Sequence, residues 1–241
     1  MRRWSRTSVS STTTEVTKQG QTPLFIVLEG GDGVGKTTHV ALLSAWFSAL
    51  GLPHVSTREP GGTPVGEAIR EIVLAGPEMD MPAETELMLI LGARAAFVRD
   101  VVRPALAEGK LVLADRFSLS TMAYQGYGRG LDLDDVRRAI EIATGGLEPD
   151  LYIVLDLPAE EGEERQRDDG STPDRIEAAG RSFRDSVREA YLELAATEGS
   201  VEVVSTRGSP DEVHGRIRAR LAARFPATFP EPGVTEAGRA G

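Results

Sequence analysis

No cysteine and no asparagine occur in the 241 residues, and aromatic side chains make up only 5% of them. Without cysteine there is no disulfide framework, no thiolate metal site and no cysteine nucleophile. No apolar run approaches the roughly 20 residues that a membrane-crossing helix needs. A basic excess is missing as well, since 27 Lys and Arg stand against 37 Asp and Glu for a net charge of −10. That sign argues against nucleic-acid polymers and anionic membranes as partners, and any anionic ligand must be met by a local cluster of arginines. His39, His54 and His214 share no spacing that would make a metal site or a general base.

The 40% hydrophobic content suffices for one sizeable core, which one α/β domain uses up. Residues 1–22, rich in Ser, Thr and Arg, read as a disordered tail, as do the Pro-, Gly- and Ala-rich residues 225–241, leaving a domain over 23–224. Within it, short apolar runs alternate with longer helical patterns, the signature of a parallel sheet wrapped by helices. The runs predict strands over residues 24–29, 54–58, 110–114, 151–155 and 201–204. Helices are expected over 37–50, 65–74, 83–108, 133–145, 175–197 and 211–224.

The first strand leads into Gly30-Gly31-Asp32-Gly33-Val34-Gly35-Lys36-Thr37-Thr38, which carries the GxxxxGK[ST] spacing of a P-loop. Glycines let successive backbone N–H groups turn inward around an anion, and the helix starting near Lys36 adds its positive dipole end. Lys36 then reaches the β- and γ-phosphates of a nucleoside triphosphate and the Thr37 hydroxyl ligates Mg²⁺. A guanine-nucleotide switch is excluded, because its Asn-Lys-x-Asp element needs an asparagine.

In such sheets ligands sit beyond the carboxyl ends of the strands. The stretches found there are TREPGGTP (57–64), DRFSLSTMAYQGYGRG (115–130) and DLPAEEGEERQRDDGSTPDRIE (156–177), with LILGARAAFVRD (89–100) a helix's length before the second. They supply Arg58, Arg94, Arg116, Arg165, Arg167 and Arg175, whose planar forks suit phosphate.

Taken together, GGDGVGKTT, TREPGGTP, GARAAFVRDVVRPAL, DRFSLSTMAYQG and DRIE followed by YLELA resemble the thymidylate kinase family from about Phe25 to Leu221. The resemblance implies a P-loop NTPase-type α/β fold with a five-stranded parallel sheet, a mobile lid after the fourth strand, and phosphoryl transfer from ATP to dTMP. It also implies a cytoplasmic homodimer paired through the long third helix. By position, Asp32 matches the acid at the sugar 3′-hydroxyl and the magnesium water shell, and Asp115 also steadies that shell. Arg116 matches the arginine bridging donor and acceptor phosphates, and Arg58 the monophosphate site. Arg94 matches the donor to the thymine edge. Thr121, flanked by Ser120 and Gln125, falls at the N3 edge, and Tyr124 crowds the ribose 2′ position. Arg165 and Arg167 match lid arginines. Ile90 stands where the family usually has a stacking Phe, Asp169 where a third lid arginine is expected, and Leu119 where an acid often follows. Another nucleotide or deoxynucleoside kinase, or a weakly catalytic nucleotide-binding paralogue, remains the alternative.

Overall fold

The computed structural model describes residues 22–76, 79–168, 175–176 and 179–230. Strands β1 (Phe25–Glu29), β2 (His54–Arg58), β3 (Leu111–Asp115), β4 (Leu151–Asp156) and β5 (Val201–Ser205) form one sheet in the order β2-β3-β1-β4-β5. Every pairing is parallel, with Val27 of the central strand opposite Ala114 and Tyr152. All five residues of β1 are buried, as a strand covered on both faces requires.

The two-residue alternation of β1 divides the core. Phe25 and Val27 face one cluster, with Leu87, Leu91 and Phe97 of helix α3 (Ala83–Phe97), Val136 and Ile140 of α6 (Leu133–Thr144), and Val187 and Tyr191 of α8 (Arg181–Thr197). Ile26 and Leu28 face the other, with Leu43 and Phe47 of α1 (Lys36–Ala49) and Ile217 and Leu221 of α9 (Pro210–Arg224). Helix α2 (Pro64–Val73) packs on α3, its N-terminus capped by Thr63, whose hydroxyl accepts from Gly66 N at 2.9 Å.

Three departures from the sequence expectations lie among the helices. The helix expected over 83–108 is interrupted, with α3 widening into a π-helical turn at Val98–Val102 before α4 (Arg103–Ala107). Pro104 lacks an N–H and its ring crowds the carbonyl four residues back, which the wider turn accommodates. The stretch after β3, outside the expected helices, is helical: α5 (Ser118–Thr121) continues as a π-helix over Met122–Gly128. Helix α8 starts at Arg181 rather than 175, after Gly180 at φ 90°. After β4, α7 (Ala159–Asp168) opens the region expected to be a lid; Asp169 lies outside the described residues.

The segment 225–230, read as the start of a tail, is instead packed against α1. Phe229 is 1% exposed and stacks on Trp46 and Phe47 at centroid distances of 5.2 and 5.3 Å. Composition concealed this, because the Pro and Ala around them mask two phenylalanines spaced to bury. Phe229→Ala is expected to cost about 3–5 kcal/mol, read as a lowered urea midpoint; an unchanged midpoint would contradict the packing.

Candidate active site

The carboxyl ends of β1 and β3 lie side by side, and the loops leaving them form one floor. The chain leaves β1 through Gly30 at φ 128°, where a Cβ would stand 2.3 Å from the Leu155 carbonyl oxygen. Farther round the loop, Gly33 has φ 72° and touches Gly162 of α7, whose carbonyl oxygen would lie 2.1 Å from a Cβ. Only glycine permits either approach. The loop ends at Lys36, whose Nζ donates to the carbonyls of Gly31 at 2.6 Å and Gly30 at 3.2 Å. Burial first, and then the nearby Arg116, push the Lys36 ammonium down to about 8. The Thr37 hydroxyl donates to Asp115 Oδ2 at 3.2 Å, bringing two hard oxygen donors together at the helix start.

Arg116 follows β3 with φ 73°, a left-handed backbone uncommon for a residue with a side chain. Its N–H donates to Leu28 O, and the next N–H, that of Phe117, donates at 2.8 Å to Glu29 Oε1. Glu29 is 0% exposed and also receives the Ser120 N–H, the Ser120 hydroxyl at 2.6 Å and the Tyr191 hydroxyl at 2.9 Å. Burial pushes its carboxyl above the ordinary range against the pull of these donors and of Arg116. The Arg116 guanidinium donates to Gly30 O at 2.9 Å, Ser120 Oγ at 3.2 Å, Tyr124 Oη at 3.1 Å and Asp32 Oδ1. Its carbon lies 5.0 Å from the Tyr124 ring centroid, and Tyr124 Oη donates to Asp32 Oδ2 at 3.0 Å. Burial works against a charged Asp32, but Arg116 and Lys36 outweigh it and hold the carboxyl below its usual value.

Above this floor opens a cavity of about 380 Å³. Among its lining are Asp32, Gly33, Gly35, Lys36, Thr37 and Thr38 from the P-loop, together with Asp115 and Arg116. Arg58, Ile90, Arg94, Ser120, Thr121, Tyr124 and Gln125 line it too, so every residue expected at a monophosphate site converges there. Gly30, Gly31 and Val34 instead line a second space of about 20 Å³, room for one water. Arg165 and Arg167 do not line the larger cavity: Arg165 donates to Thr206 O at 2.9 Å and Arg167 to Glu163 O at 3.3 Å. Arg175 is turned away from the phosphate loop as well, onto Glu86.

Arg94 is 1% exposed and anchored on three sides, through Nε to Glu59 at 2.8 Å, Nη1 to Thr121 Oγ1 at 2.8 Å and Nη2 to Phe117 O at 2.9 Å. Burial pushes the Glu59 carboxyl up to about 7 even with Arg94 beside it. By contrast the Arg58–Glu67 pair, at 2.9 Å, is roughly half exposed on both sides, which leaves Arg58 easily exchanged onto a ligand. Sequence reasoning missed Glu59, Pro60, Arg70, Leu74, Gln166 and Ile176 in the lining. Glu59 and Pro60 sit inside the TREPGG stretch already singled out, and Arg70 is on the helix that stretch begins. Glu29, a lone acid ending an apolar strand just before the P-loop, was a readable signal; Tyr191 and Glu86 come from distant segments that only folding brings near.

Comparison with known proteins agrees with this geometry. The family model described as thymidylate kinase matches residues 28–217. A thymidylate kinase of Synechococcus sp. (strain JA-3-3Ab) is 46% identical over 87% of this chain and all of its own length. That of Pseudomonas syringae pv. syringae is 48% identical over 73% of this chain and 84% of its own. The crystal structure of thymidylate kinase from Ehrlichia chaffeensis superposes with a TM-score of 0.67 at 27% identity, covering 83% of this chain and 98% of that one. With its P-loop, its arginine-floored cavity and these relatives, the chain belongs to the thymidylate kinase family.

Proposed function

We propose that the cavity holds both substrates of a kinase that transfers a phosphoryl group from ATP to dTMP, giving dTDP and ADP, with the P-loop as donor side. The observation that carries the assignment of roles is Arg116, fixed between the P-loop at Gly30 and Asp32 and the acceptor wall at Ser120 and Tyr124. From there its fork can bridge the two phosphates across which charge develops. Lys36 leaves the loop carbonyls for the ATP phosphates, and Arg58 exchanges Glu67 for the monophosphate. The acceptor oxygen is already ionised, so no general base is needed, and catalysis consists of positioning and charge neutralisation. Asp32 meets the sugar 3′-hydroxyl, the Tyr124 ring fills the space of a ribose 2′-hydroxyl, and Arg94, Thr121 and Gln125 face the base over Ile90. Arg165 and Arg167 take part only after leaving the carbonyls of Thr206 and Glu163; Gln166 between them already lines the cavity.

Mg²⁺ fits the oxygen donors present. Thr37 and Asp115 offer a hydroxyl and a carboxylate 3.2 Å apart, and the ion is commonly held by one or two such groups together with substrate phosphates. When bound it screens the phosphate charge. No helix among the described residues is long and apolar enough to cross a membrane. A cytoplasmic homodimer completes the reading; Val65 and Ile72 of α2 and Met88 of α3, exposed on two helices that pack on each other, supply apolar surface for it.

An ADP-release assay over the four deoxynucleoside and four ribonucleoside monophosphates tests the assignment. dTMP is expected to be turned over best, and Lys36→Ala to lower kcat by about 10²–10³ while the fold persists. Near wild-type turnover in that variant, or no preference for dTMP, would refute it. The pH dependence has a definite sign. Lys36 binds phosphate as the ammonium, and its value of about 8 in the free protein means that the charged form is lost as pH rises through 8. kcat/KM for ATP, which reports the free enzyme, should therefore be level below that pH and fall about tenfold per unit above it; a profile level to pH 10 would contradict the burial argument.

A further inference from the structure

Gln125 lines the cavity beside Thr121 and Arg94, and its terminal amide can present either a donor or an acceptor there. The choice is made from behind. Nε2 donates at 2.7 Å to Oε1 of Glu86, a residue of the first turn of α3 that is 0% exposed. A carboxylate only accepts, so the amide turns its NH₂ toward Glu86 and keeps Oε1 for the cavity.

Glu86 is held as a carboxylate by two guanidiniums. Arg129 donates to it through Nε at 3.3 Å and Nη2 at 3.1 Å, and Arg175 donates through Nη2 to Oε2. Burial by itself raises the Glu86 carboxyl, but the bonds from Gln125, Arg129 and Arg175 outweigh it and hold the group below its ordinary value. Both arginines are fixed in turn. The Arg129 guanidinium lies 4.6 Å from the Phe183 ring centroid, and Arg175 Nε donates to Val73 O at 3.2 Å.

Resting on the dTMP assignment above, we propose that Glu86 is a positioning residue for base selectivity. By locking the Gln125 amide oxygen toward the cavity, it makes the pocket take the N3–H of thymine or uracil and refuse cytosine, whose N3 is an acceptor. Two acceptors face to face leave both unpaired, a heavier penalty than a lost contact. Arg94 acts in the same direction. Three of its five N–H groups are spent on Glu59, Thr121 and Phe117, and the remaining donors suit the 4-carbonyl of thymine rather than the 4-amino group of cytosine.

The test compares kcat/KM for dUMP and dCMP, which share sugar, phosphate and size. In Glu86→Gln the neutral amide at 86 can donate or accept, so the Gln125 amide is free to turn. The dUMP:dCMP ratio is expected to fall about tenfold or more, whereas mere loosening of the fold lowers both substrates alike and leaves the ratio unchanged. Gln125→Leu, with Glu86 intact, reads the same selectivity should the first variant fail to fold, and it should narrow the ratio similarly. In the Gln125→Leu background, Glu86→Gln should add nothing. A ratio unchanged in either single variant, or narrowed by Glu86→Gln even in that background, overturns the lock. A wild-type protein that turns over neither dTMP nor dUMP overturns the dTMP assignment instead.

Discussion

A buried acid at the end of β1 governs the geometry around Arg116, because this arginine, proposed above to stand between two phosphates, is attached to a backbone that will not hold its own shape. At φ 73° the Arg116 backbone occupies a region that L side chains avoid. Glu29 compensates by taking the Phe117 and Ser120 N–H groups on one oxygen and the Ser120 and Tyr191 hydroxyls on the other. The same two hydroxyls lie 2.8 Å from each other and both accept from the Arg116 guanidinium, at 3.2 and 3.4 Å. One carboxylate thus sets both the path of the chain and the direction of the fork. Ser120, which also lines the cavity, is 9% exposed and its hydroxyl takes part in this support.

The same device recurs around the cavity. Arg94 is tied to Glu59, Arg129 and Arg175 to Glu86, and Arg116 to Asp32, each guanidinium paired with an acid of low exposure. This explains how a chain of net charge −10 can receive two polyanionic substrates. Removing one partner of a buried pair leaves an uncompensated charge at a cost of about 3–5 kcal/mol, so these pairs hold their geometry without giving the surface a basic field. Preorganised cations of this kind need no rearrangement as charge develops during transfer. The exposed Arg58–Glu67 pair at the edge of the cavity is the counterexample, loosely held.

Much of this was legible in the sequence, for identifiable reasons. The apolar runs located all five strands to within a residue or so, most plainly β1, β3 and β4, which are buried on both faces and carry no polar residue before their last position. The P-loop and the residues after β2 and β3 were readable because the topology of a parallel sheet sends strand ends to one edge. What escaped depends on contacts far apart in the chain. Phe229 is buried by Trp46, Tyr191 meets Glu29 across 162 positions, and Arg175 reaches Glu86 across 89. The helical run from Ser118 to Gly128 was also hidden, because the Ser, Thr and Gly residues interspersed in it lower the helix propensity of a segment that neighbouring elements keep helical.

The direct test of Glu29 as the support of Arg116 is the steady-state kinetics of Glu29→Gln with ATP and dTMP varied in turn, alongside circular dichroism to establish that the variant is folded. The amide preserves size but cannot accept at both positions, so the Arg116 fork loses its direction while the cavity walls stay in place. The account predicts kcat lower by about 10²-fold, the scale of removing one preorganised donor, with both KM values within about threefold of wild type. A folded variant with unchanged kcat, or one whose loss lies entirely in KM, would contradict it.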